Sequence, residues 1–160
     1  MSSFNRRFFL LSLPALAACG FEPVYGTGGS AENLRGSILV DAPTTRNSFD
    51  LVAQLEQRLG RAQAPVYGMS VQLAVSEEGL AITDTNDIER YNVLGRANFA
   101  LRDLGTDEEV YSGSVNTFTA YSASTQSVAT LAAERDANSR LMTALADKIT
   151  TDLLINAGKF

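Results

Sequence analysis

The stretch YNVLGRANFALRDL, residues 91–104, alternates apolar and polar side chains with little interruption. Tyr91, Val93, Ala97, Phe99 and Leu101 share one side of an extended chain, and Asn92, Arg96, Asn98 and Arg102 share the other. Successive side chains of a strand point to opposite faces, so this period of two predicts a strand with one buried and one wet face. That is the pattern of an antiparallel sheet covered on a single side. On the N-terminal side, MSVQLAVS (69–76) repeats it, with Met69, Val71, Leu73 and Val75 against Ser70, Gln72 and Ala74. Leu80 and Ile82 continue the alternation on even numbers. One inserted residue flips every following side chain, which predicts a bulge around Glu78 and Gly79. On the C-terminal side, GTDEE (105–109) is a hairpin connection leading into VYSGSVNTFTAYS (110–122), a β-rich partner strand. Its face pattern slips between Val115 and Phe118, predicting a second bulge there.

Helices flank this three-strand block. SILVDAP (37–43) reads as a short first strand stopped by Pro43, which cannot donate to a ladder. NSFDLVAQLEQRLGR (47–61) places Leu51, Val52, Leu55 and Leu59 at helical spacing, with Asn47 or Ser48 as N-cap and Asp50 in the first turn. From Ser127 to Ile155 there is neither glycine nor proline. Leu131, Leu141, Met142, Leu145, Ile149 and Leu153 form one stripe there, while Asp136, Ser139, Thr143, Asp147 and Thr150 face away. Arg135 and Asn138 interrupt the stripe, Asp136 and Arg140 form an i, i+4 pair, and Gly158 closes the helix. The order strand, helix, three strands, helix packs most simply as two helices on one face of a mostly antiparallel four-stranded sheet. The expected class is α+β, a two-layer sandwich.

The composition belongs to a single globular domain: of 160 residues, 45% are hydrophobic and 19% charged. The formal net charge is −5 and the lysines are confined to Lys148 and Lys159. No basic face exists to neutralise a phosphate backbone, which argues against nucleic acid as a partner. The chain has no histidine, so the usual general base and commonest metal ligand are missing. With one cysteine, disulfide and zinc chemistry are excluded. The sequence predicts neither enzyme nor cofactor.

That cysteine, Cys19, ends an apolar run. Arg6 and Arg7 precede FFLLSLPALAA (8–18), too short for a span, which needs about 20 apolar residues. A basic start, a short apolar centre and a small-residue end make an export signal. LAAC (16–19) resembles the lipobox of bacterial lipoproteins, in which cleavage precedes the cysteine and its sulfur carries a diacylglyceryl group. The expected organisation is a signal over 1–18, an acylated Cys19 with a glycine-rich tether to residue 36, and one domain over 37–160. Gly20 stands where an aspartate acts as an inner-membrane retention signal, which favours the outer membrane. NRRFFL (5–10) is similar to a twin-arginine motif, except that Asn5 replaces the usual serine or threonine, so both export routes stay open.

The carboxylates cluster at Asp84, Asp87 and Glu89 and at Asp107, Glu108 and Glu109. Both groups fall in connections between strands and read as solvated turn residues. Calcium-loop spacing, a phosphate-binding glycine loop and a nucleophile elbow are all missing from the sequence. Arg90, Arg96 and Arg102 recur every six residues, and arginine favours bidentate contacts with phosphate or carboxylate. Arg96 and Arg102 share parity and are the candidate anionic-ligand face, against the plainer reading of a charged solvent face.

The export signal and the CGFEPVY start (Cys19, Gly20, Phe21, Pro23, Tyr25), the FDLVAQLEQRLG helix (49–60) and the stretch from Val115 to Ile149 together resemble the lipopolysaccharide-assembly lipoprotein family, LptE. The resemblance implies a two-layer sandwich anchored by its acylated N-terminus to the inner leaflet of the outer membrane, on the periplasmic side. It implies a noncatalytic plug for the LptD-type β-barrel translocon that delivers lipopolysaccharide to the surface, assisting assembly of that barrel. Lipopolysaccharide is a further implied partner, but no ligand residue carries over. Family members use basic residues near the tip of the middle strands and the start of the last helix, where this chain reads TDTND (83–87) and ATLAAE (129–134). The alternative is a periplasm-facing lipoprotein that binds a small ligand or serves another envelope complex. Cys19→Ser is expected to leave an uncleaved, unacylated precursor, visible as a larger band without acyl label; normal labelling would refute the lipobox.

Overall fold

The computed structural model describes residues 34–82, 88–123 and 127–160. The expected signal, Cys19, most of the expected tether, and Asp84 and Asp87 lie outside these residues. The element order is β1 (Ile38–Val40), α1 (Arg46–Leu59), β2 (Tyr67–Ile82), β3 (Ile88–Asp103), β4 (Glu109–Ser122) and α2 (Ser127–Asn156), closed by a 3-10 turn over Ala157–Lys159. The four strands form one sheet in the order β1-β2-β3-β4. β2, β3 and β4 pair antiparallel, whereas β1 runs parallel to the start of β2, with Ile38 opposite Tyr67 and Val40 opposite Met69. The sheet is therefore mixed. A parallel pair needs a crossover connection, and α1 supplies it.

α1 starts one turn earlier than the sequence suggests. Thr45 is the N-cap: its hydroxyl accepts from the Ser48 backbone N–H, and the Ser48 hydroxyl accepts from the Thr45 N–H at 2.8 Å, a capping box. This leaves Asp50 outside the first turn. Gly60 ends the helix with φ of 81°, a conformation that costs glycine nothing. Leu51, Leu55 and Leu59 are buried on one stripe. They pack beside α2, to which Asn47 donates a hydrogen bond at 3.1 Å through Asn138. Asn138, which breaks the apolar stripe of α2 in the sequence, is thus the polar half of an interhelical contact. Arg58 reaches Asp147 across the same interface.

α2 lies over β3 and β4. A Cβ on Gly95 would meet Leu141 Cδ2 and Leu145 Cδ1 at 3.0 Å, so the helix rests directly on the backbone of β3. Val93, Ala97, Phe99 and Leu101 continue that buried face, joined by Met69 from β2. The burial departs from the expected stripe at both ends of α2. Leu131 is 47% exposed because α2 begins beyond the core, and Thr150 is buried, although its spacing predicts a solvent position. Leu34 is buried as well, so packing already includes the turn before Ser37.

The expected bulges are displaced. β2 has a first irregularity just past Gly79, at Leu80, which pairs with no residue between Gly79 opposite Tyr91 and Ala81 opposite Arg90, and a second between Ala81 and Ile82, which faces Ile88; Leu80 is 56% exposed. β3 and β4 pair without a shift from Arg90 opposite Ser122 to Leu101 opposite Tyr111, and the break falls at the hairpin, where Arg102 faces Glu109. No bulge occurs between Val115 and Phe118. Phe118 instead keeps strict alternation and projects from the open face, 64% exposed. The turn into β4 rests on Asp103, whose carboxylate accepts from Gly105 N at 2.7 Å and Thr106 N at 3.1 Å.

Two side chains cap the core at its ends. Tyr111 donates to Asp152 at 2.8 Å, and burial followed by that carboxylate raises its pKa. Tyr121 stacks on Tyr91 with ring centroids 5.2 Å apart. Burial, then the charges of Glu77 and Glu134, push the Tyr121 hydroxyl up to about 12 from its ordinary 10.0. A hydroxyl less acidic in the folded chain contributes stability below pH 10 and loses it as pH rises from 10 to about 12. Tyr121→Phe is expected to weaken the fall in melting temperature between pH 9 and pH 11, with Tyr111 acting in the same direction. An unaltered fall would refute the assignment. Gly95→Val is expected to lower stability in urea by about 1–3 kcal/mol through overpacking. Gly158→Ala, with nothing within 4 Å of the added carbon, should stay within about 0.5 kcal/mol of the parent.

Candidate partner-binding surfaces

Covering one face of the sheet leaves the other bare. Alternation sends the even-numbered residues of β3 outward, and the ladder aligns them in rows: Gln72, Asn98 and Ser114; Ala74, Arg96 and Asn116; Ser76, Leu94 and Phe118. Ser114 donates to Asn98 at 2.8 Å within its row. Between the second and third rows the surface sinks into a shallow basin of about 560 Å³. Ala74 provides the depth, Leu94 and Phe118 the apolar wall, and Arg96 and Lys148 the charge. Lys148 belongs to α2, in the opposite layer, and borders the basin on the side of β4, the terminal strand.

Arg96 and Arg102 do share this face, but they differ in occupation. Arg102 clamps Asp41 with Nη2 at 3.1 Å and Nη1 at 3.4 Å, and its Nε lies 3.9 Å from Asp107. It ties β3 to the segment after β1 and to the β3–β4 turn, so its fork is already filled. Arg96 is exposed and has no ion pair among the described residues. Lys148 is likewise exposed and unpaired among them. Arg58, Arg61, Arg102 and Arg140, by contrast, each meet a carboxylate. Sequence reasoning finds Arg96 by parity, but it misses Lys148, which arrives from a helix on the other layer. It also misses Phe118, whose outward position reads as a register slip.

A second notch lies where β2, β3 and β4 pass beyond the core. Glu77, Tyr91, Tyr121, Leu131 and Glu134 line about 410 Å³ there, and Tyr121 donates to Glu77 at 3.4 Å. The notch is acidic and aromatic. Asp107 and Glu108 are exposed residues of the β3–β4 connection, with Asp107 held at φ of 59°, whereas Glu109 opens β4 and Glu89 lies within β3, so neither is the connection residue the sequence suggests. Among the described residues, no three acidic side chains converge to hold a metal ion. No helix among them is long and apolar enough to cross a membrane.

Comparison with known proteins agrees with this architecture. The model of the family LptE, described as lipopolysaccharide-assembly, matches residues 36–153. Among solved structures, one described as a lipoprotein of Caulobacter crescentus CB15 is 26% identical, with a TM-score of 0.68 over 84% of this chain and 100% of its own. Rare lipoprotein B of Shewanella oneidensis is 12% identical, with a TM-score of 0.56 over 73% of this chain and 91% of its own. A minor lipoprotein of Acinetobacter baumannii is 16% identical, with a TM-score of 0.56 over 74% and 89%. These last two share the fold. No curated protein matches the chain significantly. The family match takes in every strand, α1 and nearly all of α2, and the chain therefore belongs to the lipopolysaccharide-assembly family LptE, whose role is noncatalytic.

Proposed function

We propose that this chain is an outer-membrane lipoprotein, acylated at Cys19 and facing the periplasm, that assists assembly of the LptD-type β-barrel translocon and plugs it during lipopolysaccharide delivery. The observation that carries this reading is the family match over residues 36–153 directly behind a lipobox at Leu16–Cys19. Two chains or more are needed for stable lipid anchoring, since each buried methylene contributes only about 0.8 kcal/mol. A thioether diacylglyceryl group with an acylated amino terminus meets that need, and it consumes the thiol.

The domain suits a plug. Its surface clefts are open and shallow, as a rigid insert in a wet barrel requires. Its bare sheet face presents serine, asparagine and glutamine, which hydrogen-bond to water and to protein alike. Lipopolysaccharide is a ligand of this proposal only through the barrel, because the described end of α2 at Ala129–Glu134 offers no cation.

Affinity capture of the tagged full chain from detergent-solubilised outer membranes is expected to recover one large β-barrel protein, and depletion of the chain to reduce surface lipopolysaccharide. Recovery of no barrel would overturn the reading. Normal surface lipopolysaccharide after depletion, with a small ligand bound by the chain alone, would favour a periplasmic ligand carrier in its place.

A further inference from the structure

We propose that the bare face of the sheet is the surface that seats the barrel partner, with the basin at Ala74, Leu94 and Phe118 as its centre. The occupant is a segment of the barrel's inner wall that carries a carboxylate beside an apolar side chain. This inference rests on the barrel reading above and adds to it the face and the chemistry of contact.

Charge is the first ground. The chain is acidic overall, with 18 Asp and Glu against 13 Lys and Arg, yet Arg96 and Lys148 flank the basin with no carboxylate of their own among the described residues. What sets Arg96 and Lys148 apart from other cations without an ion pair among the described residues, such as Arg46 and Arg135, is that they line one apolar hollow, which matches an acid supplied from outside. Complementary charge steers encounter and fixes register. The rest of the face is the second ground. Gln72, Asn98 and Ser114 in the adjoining row are neutral, and charges are what an interface centre lacks. Phe118 is 64% exposed beside Leu94, an aromatic anchor next to a pocket, which is where binding energy concentrates. Of the other exposed apolar side chains, Phe49, Val128 and Ile155 lie near helix ends, and Leu39 and Leu104 lie at the entry end of the strands. Among the described residues, the cleft of about 530 Å³ at the start of α1 holds one cation, Arg46, and sets it beside Asp50.

Photo-crosslinking in cells tests the placement on the lipidated full chain. A photoreactive residue at Gln72 or Asn116 is expected to capture the barrel, and one at Gln57 or Ser139 on the helix layer is not. The double variant Arg96→Glu with Lys148→Glu is expected to recover about tenfold less barrel than the parent. An unchanged melting temperature shows that this variant is folded. Barrel captured by the parent but crosslinked only from the helix layer would overturn the face and leave the barrel reading standing. Undiminished capture by the charge-reversed chain would overturn the carboxylate. If that variant kept full barrel capture and lost binding of purified lipopolysaccharide, the occupant would be an anionic glycolipid and the proposal would fall. A parent that captured no barrel would overturn both readings together.

Discussion

The seating of α2 on β3 is the contact on which the other elements depend. Gly95 and Ala97 make a trough in the middle of the sheet, and Leu141 and Leu145 fill it, close enough that a β-carbon at Gly95 would lie 3.0 Å from both. Interiors pack at crystal density, so this trough admits the helix at one depth. With α2 placed, the space left between it and β1 has one shape, and α1 occupies it with Leu51, Leu55 and Leu59. The two polar contacts between the helices, Asn47 with Asn138 and Arg58 with Asp147, then fix their register. Each helix is held by the sheet and by the other helix, so neither layer is a stable unit alone.

Completing one layer determines what the other face must be. A sheet face open to water has to remain soluble, yet a face meant for contact has to shed that water at small cost. Removing a charge from water costs far more than removing an amide or hydroxyl that finds a new partner. Rows of Ser, Asn and Gln around Leu94 and Phe118 satisfy both demands. Asp136 and Asp147 lie on the helix layer with side chains 67% and 60% exposed, while on the open face Glu78 stands in the row beyond Leu94 and Phe118. Arg102 belongs to the fold despite its place on the open face, because Asp41 and Asp107 neutralise it. Arg96 and Lys148 meet no carboxylate among the described residues, and on the proposed reading they are the cations that face the partner.

The architecture was largely legible in the chain because period two and period 3.6 are local properties. YNVLGRANFALRDL named its own faces correctly, and the last helix announced itself by lacking glycine and proline. What failed to read depended on distance. Phe118 looked like a register slip because an exposed aromatic breaks the expected code, although the ladder runs through it unbroken. Thr150 looked like a solvent position, and Leu131 a buried one, because periodicity cannot say where along a helix the core begins and ends. The parallel pairing of β1 needs partners 29 residues apart, Ile38 and Tyr67, which no window spans. The basin was the least legible feature. Arg96 showed by parity, but Lys148 meets it only through the three-dimensional packing of α2 beside β4.

The direction of the chain links these faces to the membrane. Ser37 accepts backbone hydrogen bonds from Val66 and Tyr67, and Tyr67 meets Phe160 edge-on at 5.7 Å, so the chain enters and leaves the domain at one end. The end of β2, the start of β3 and the start of α2 lie at the other end, about 50 Å away for strands of 16 residues. With Cys19 acylated, the residues between it and Leu34 span at most about 50 Å even when fully extended. The entry end is therefore the end at which the chain from Cys19 arrives, and the acidic, aromatic notch of Glu77, Tyr91, Tyr121 and Glu134 lies toward the other end of the strands. The basin at Arg96 and Lys148 lies midway along the strands between these ends. On the proposed anchoring, a domain tethered in this way would lay that face along the barrel wall.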